Sequence, residues 1–328
     1  MKKALILFVA CTLFLGGLSL FAADKDQKIS KDAEKIMKEA DKAFKAKEFD
    51  KALELFKQVT TMEPNYASAW YDVAVVCQNQ GKLAEAAESA EKAFQLKPDN
   101  PKFKEILVKD LDYLGKKAFQ DKEAEKAYGY MKRLLAVPGM ETENPGFYLS
   151  ALYIAGVSAV QLEKAPEAVE IFKTFLGVSK DPQFNALAEF FVGHSLFLEL
   201  EKEVKPMKDE IQKMGDERNA KAADPTIKQA QKDTLLADYD KKISGVKAKM
   251  GETAKAKGEI VTYLEKSLSV KADNEDAFVD LGNYYYYAND LDKSIETYNK
   301  LIAAFPQSGN LSSYKSFVDS LTKEKSGK

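Results

Sequence analysis

Apolar residues along this chain fall at alternating steps of four and three: Ala52, Phe56 and Val59, then Ala86, Ala90 and Ala93. The steps recur at Ala127, Met131 and Leu134, and at Ala168, Phe172 and Phe175. Such steps return to one face of a 3.6-residue helix, so each segment is predicted to form an amphipathic α-helix. The first two segments superimpose after a shift of 34 residues, which also carries Pro64 onto Pro98. Near the C-terminus the same shift carries Ile260 onto Ser294 and Leu264 onto Tyr298. Self-similarity at this period marks stacked copies of one small unit, and six units are counted.

Each unit has a preceding helix with its own signature. It holds Trp70, Val73, Ala74 and Cys77 in unit two, and Leu111, Leu114, Gly115 and Ala118 in unit three. Unit four has Leu152, Ala155, Gly156 and Ala159, unit five Val192, Gly193 and Leu196, and unit six Phe278, Leu281, Gly282 and Tyr285. Small residues let two helices approach, and large residues three or four positions away fill the space between them. This pattern resembles the tetratricopeptide repeat, W-x2-L-G-x2-Y…A-x3-F…P. The resemblance implies an all-α fold, a right-handed α-solenoid of about six helix pairs. Residues 310–328 are read as a C-terminal capping helix and tail, with apolar positions Leu311, Tyr314, Phe317, Val318 and Leu321.

Two spacings, Ala86 to Ala127 and Ala127 to Ala168, are 41 rather than 34. The first predicts two extra helical turns before Leu111, the second a longer loop over VPGMETENPG. A larger departure lies in unit five, where residues 201–257 separate the first helix from its partner. Val204, Met207, Ile211 and Met214 before Asp224-Pro225, and Tyr239, Ile243, Val246 and Met250 after it, trace two narrow apolar seams. They predict an antiparallel helical hairpin, with a charged linker as the alternative. The expected organisation is therefore residues 24–200 (units one to four and the first helix of unit five), the 201–257 insertion, residues 258–309, and the 310–328 cap.

The N-terminal residues 1–23 add a location. Lys2 and Lys3, an apolar run from Ala4 to Phe21, and Ala22-Ala23 have the layout of a bacterial secretory signal peptide. The expected location is periplasmic or otherwise exported, with an uncleaved inner-membrane anchor over residues 4–23, or lipid attachment at Cys11, as alternatives. After cleavage Cys77 is the single cysteine, so no internal disulfide is expected, and its VAVVC setting predicts burial.

Charge is balanced, 49 basic against 51 acidic residues overall and 14 against 11 within 201–257, which argues against a nucleic-acid partner. No phosphate loop, H-E-x-x-H, cysteine cluster or G-x-S-x-G is present, so neither catalytic residues, cofactor nor metal ligands are expected. His194 is the sole histidine and reads as a packing or hydrogen-bonding residue.

In tetratricopeptide proteins the first helix of each pair lines a concave, peptide-binding face. By that resemblance the groove positions here are Tyr71, Val75, Tyr153, Val157, Phe190, His194, Phe197, Asn283, Tyr286 and Tyr287. The expected function is a noncatalytic interaction scaffold of the cell envelope holding a protein or peptide in an aromatic groove. The alternatives are self-assembly into a homo-oligomer through the 201–257 hairpin and an enzyme with an unrecognised carboxylate pair. Within the run Tyr284–Tyr287, Tyr285 is expected in the core, Tyr286 shared, Tyr287 in contact with a partner, and Tyr284 partly exposed.

Overall fold

The computed structural model describes residues 28–326; the signal-type segment 1–23 lies outside them. Fifteen helices and no strand occur among the described residues. The chain divides into two compact units, with the boundary between Leu114 and Gly115.

The first unit holds α1 (Lys31–Lys45), α2 (Phe49–Met62), α3 (Ala67–Asn79), α4 (Leu83–Leu96) and the start of α5 (Pro101–Gln120). Ser30 caps α1 by accepting from the Ala33 amide, and its own amide donates to Glu63. The core joins Ala40, Ala52 and Ala86 with Phe56, Val73 and Cys77. Cys77 is buried, and burial pushes its thiol up to about 11, so it is inert packing.

The second unit completes α5 and continues with α6 (Ala124–Leu135), α7 (Met140–Glu143), α8 (Pro145–Gln161) and α9 (Ala165–Val178). It then holds α10 (Pro182–Ala223), α11 (Gln229–Lys255), α12 (Glu259–Val270), α13 (Glu275–Tyr287), α14 (Leu291–Ala304) and α15 (Leu311–Ser326). The helices pack in pairs, α8 on α9, α13 on α14, and α10 on α12 across the inserted α11. The lengthening before Leu111 is taken up by the 20 residues of α5, and the VPGMETENPG segment folds one short turn, α7.

Five of the helix pairs meet in one kind of turn. Lys47, Gly81, Lys122, Glu163 and Asn289 have φ between 56° and 73°, and the amide after each donates to the carbonyl five residues back, as Glu48 does to Ala43. A left-handed residue closing such a bond ends a helix. Each lies seven residues after a small residue of its helix, as Lys47 follows Ala40, Gly81 follows Ala74 and Asn289 follows Gly282. In repeat five that place is Leu200, fully buried and helical. The five turn residues are exposed, whereas Leu200 is drawn into the core, and α10 runs unbroken for 42 residues through the expected boundary at residue 200.

α10 and α11 form the two arms of an antiparallel hairpin, joined through residues 224–228. Arg218 donates twice to Asp240, at 2.6 and 3.0 Å, and Tyr239 donates to Glu217. At the base Val204, Met250 and Ala254 are buried among residues of α12 and α13. Between residues 209 and 246 no side chain is buried. α15 covers the last pair, Phe317 meeting Tyr286 and Tyr298 edge-on, and Lys247 of α11 pairs with Glu324 of α15. No helix among the described residues is long and apolar enough to cross a membrane.

Candidate functional site

The tyrosine run shows what the hairpin does to the inner helix faces. Tyr285 is buried and its hydroxyl donates to Glu265, while Tyr286 is half-buried against Phe317. Tyr284 is buried too, where partial exposure was expected. Tyr287, expected to face a partner, is only 3% exposed. Its ring lies parallel to Phe197 at 5.9 Å, and the Lys208 ammonium sits 4.9 Å from its centroid. Its hydroxyl donates to Glu201 at 2.9 Å and accepts from Lys208 at 2.8 Å. Burial, reinforced by Glu201, raises the phenol's pKa far above its usual value, so it stays a donor. α10 supplies all three partners, Phe197 from the repeat helix and Glu201 and Lys208 from its continuation past residue 200.

The other predicted positions divide between the units. In the first, Tyr71 and Val75 are buried, with Tyr71 packed on Phe103 at 5.1 Å. In the second, Phe190 and Phe197 are buried. Tyr153 and Val157 are half-buried against the cluster of Phe172 and Phe175. Asn283, also half-buried, accepts from the Tyr298 hydroxyl.

His194 bonds Asp280 at 2.7 Å, linking α10 to α13, with 25% of the His194 side chain exposed. Burial opposes the charged imidazole, but the bond and charge of Asp280, with Asp276 and Glu201 beyond, outweigh it and raise its pKa. Burial raises Asp280 in turn, with His194 opposing.

Buried carboxylates also occur in the first unit. Burial raises Asp72, and Asp41 adds to the effect. Burial likewise pushes Asp110 up to about 7, against a hydrogen bond from Gln78. Among the described residues no three His, Cys, Asp or Glu side chains are placed to hold a metal ion.

The cleft is a volume of about 520 Å³ in the second unit. One wall is the α8–α9 corner, Val160 to Ala165, and the other is α10 from Ser195 to Asp209. α9 begins there without a side-chain cap. On α10, Leu198, Lys205 and Asp209 fall at the centre of the facing stripe by helical angle, flanked by Ser195 and Lys202 on one side and Glu201 and Lys208 on the other. The Ser195 residue is fully buried, and its hydroxyl has no hydrogen-bond partner among the described residues.

Sequence reasoning assigned Lys202, Lys205 and Lys208 to the insertion and so missed this surface. The available signal was Leu200, in the place where the other repeats carry a left-handed stop.

A profile of the tetratricopeptide repeat matches residues 37–101, and a second matches residues 275–308. The chain is a tetratricopeptide repeat protein. No curated protein matches its sequence. Among solved structures it is similar to YrrB, a TPR protein with an unusual peptide-binding site, at 14% identity, covering 80% of this chain and 97% of that one, with a TM-score of 0.39. It is also similar to PilF of Pseudomonas aeruginosa, at 14% identity, 87% and 96% coverage and a TM-score of 0.37. At these values neither likeness bears on what this tetratricopeptide repeat protein binds.

Proposed function

We propose that this protein is a noncatalytic scaffold that binds another protein, with the cleft between the α8–α9 corner and the α10 arm as its contact surface. The supporting observation is the cleft: concave, largely apolar at Val160, Ala165 and Leu198, and rimmed by charged groups of both signs. A surface of this kind suits an extended protein segment, whose side chains fill the apolar floor while its main chain meets the polar rim. The inner faces of the first helices serve instead as packing at Tyr71, Phe190, Phe197 and Tyr287, which are buried. The signal-type pattern of residues 1–23 supports an exported protein that works in the cell envelope.

The test is affinity capture on the purified full chain, with wild type compared against Leu198→Asp. Leu198 is half-buried at the cleft, so the charge spoils the floor while the core stays intact. Proteins retained by wild type and lost by the variant, at unchanged melting temperature, are the expected result. An identical set from both would sink the assignment of the contact surface.

A further inference from the structure

Two lysines mark the side of the hairpin that meets the last repeat and its cap: Lys208 reaches Tyr287 of α13, and Lys247 reaches Glu324 of α15. Two positions on in each helix, Glu210 and Lys249 stand about 200° round and so on the opposite side. From Glu210 a stripe continues along α10 at steps of four, three and four through Met214, Glu217 and Lys221. From Lys249 another runs back along α11 at steps of three, four, four and three through Val246, Lys242, Asp238 and Leu235. Both stripes therefore share one face of the hairpin, turned away from α13 and α15. On it Met214, Leu235 and Val246 are half-buried and the charged side chains are exposed. One layer of two helices cannot cover such a face, and no side chain between residues 209 and 246 is buried. A second layer packed on the first covers it, as in a four-helix bundle.

The charges say which second layer fits. The Arg218–Asp240 pair sets the register of the two arms. Counted from it, Glu210 lies eight residues away and Lys249 nine, Glu217 one and Lys242 two, and on the other side Lys221 three and Asp238 two. Each acid is thus level with a lysine across the apolar stripe. Within one chain Glu210 and Lys249 form no ion pair among the described residues, while Lys242 pairs along its own helix with Asp238 and Glu217 accepts from Tyr239. A two-fold axis parallel to the arms lays α10 of each copy on α11 of the other at the same level. All three couples then become contacts of opposite sign between copies, each made twice, around a common floor of Met214, Leu235 and Val246. A two-fold contact requires this self-complementarity of one patch.

We infer that the hairpin is a self-association arm, through which two copies of this chain join these faces in a four-helix bundle, α10 of each on α11 of the other. The outer arm is about 20–25 Å long and about 20 Å wide, so the pair buries about 1,000 Å² in all, at the low end for a specific interface. The dimer is therefore reversible on dilution. The inference goes beyond the cleft and leaves it open, since Lys205 stands about 140° from Glu210 on α10.

Sedimentation velocity of the full-length protein over a dilution series tests it, beside two charge reversals at exposed positions: Glu210→Lys with Glu217→Lys, and Lys242→Glu with Lys249→Glu. Concentrated wild type is expected at twice the mass of one chain, falling toward a single chain on dilution and as salt rises. Each reversal sets like charges against each other and should give single chains, with the helix content of wild type by circular dichroism. Mixed in equal amounts, the two reversals recreate every acid–lysine contact, so the doubled mass should return. Single chains from concentrated wild type would overturn the inference, as would a dimer that survives either reversal. Loss of the dimer in both reversals without recovery on mixing would overturn the pairing of α10 with α11. Leu198→Asp, which judges the cleft, should leave the mass unchanged, so the two readings fail separately.

Discussion

Gly282 carries no side chain because Tyr298 occupies the space where one would be. A Cβ there would lie 2.5 Å from Cε2 of that ring, and the Ser294 hydroxyl donates to the Gly282 carbonyl at 2.9 Å, so both sides of the contact are fixed. Tyr298 in turn is held by Asn283 and by the edge of Phe317. Gly115 has an equally short contact, but with the terminal methyl of Met131, which can rotate away. Alanine gains about 1 kcal/mol of helix propensity at either site. Overpacking against a fixed ring costs roughly 1–3 kcal/mol. Gly282→Ala should therefore lower stability by up to about 2 kcal/mol, while Gly115→Ala should be near neutral, both read from urea unfolding of the full chain. Equal losses at the two sites would show that ring immobility is not the deciding factor. These small residues were legible in the sequence because the repeat sets each beside a large partner at a fixed separation. The burial of Tyr287 was not legible, since Lys208 lies 79 residues away and meets it only through the length of α10.

Among the helices, α10 decides how the last repeats hold together, and His194 is its titratable link to α13. The raised pKa of His194 fixes the sign of the pH dependence. Its contribution is fully present below the unfolded value near 6.5 and is lost as pH rises through the higher folded value. Stability should therefore fall as pH rises above about 6.5, and His194→Gln should flatten that slope while lowering stability at pH 6. As His194 is the chain's sole histidine, its NMR resonance reports the folded pKa directly; a value below 6.5 would reverse the expected sign.

Farther along α10, Pro206 stands within the helix just beyond the buried Val204. Proline there removes one helical hydrogen bond and crowds the preceding turn, a cost of about 3 kcal/mol in a helix interior. Pro206→Ala should slow hydrogen exchange in residues 207–223, with little change in α13. In wild type, exchange should be slow near Val204, Met250 and Ala254 and fast between 209 and 246, where no side chain is buried. The hairpin itself was legible from its two apolar seams. That its first arm continues the repeat helix was not, because the absence of a stop at Leu200 becomes meaningful only beside the left-handed turns of the other repeats.

For the molecule as a whole, the insertion is two things in series, and its base belongs to the core. Excising all of residues 201–257 would remove Val204, Met250 and Ala254 from the cluster they share with Leu264 and Leu281, and would uncover Tyr287. Losing several buried apolar side chains costs about 2–5 kcal/mol for each large one, so the excised chain is expected to be severely destabilised. A change in its mass in solution would then report unfolding rather than a lost assembly contact. The informative variant keeps the arm through Glu210 and from Lys247 onward, joining the two with a short glycine-containing turn. It preserves the cleft, the Tyr287 contacts and the Lys247–Glu324 pair. It loses only segments without buried side chains, including the exposed Arg218–Asp240 pair, which contributes at most about 1 kcal/mol. This variant should melt within a few degrees of wild type and retain the proteins captured through Leu198. A drop in mass by sedimentation, with capture intact, would assign the outer arm to self-association. Loss of capture at unchanged stability would move the contact surface from the cleft to the outer arm.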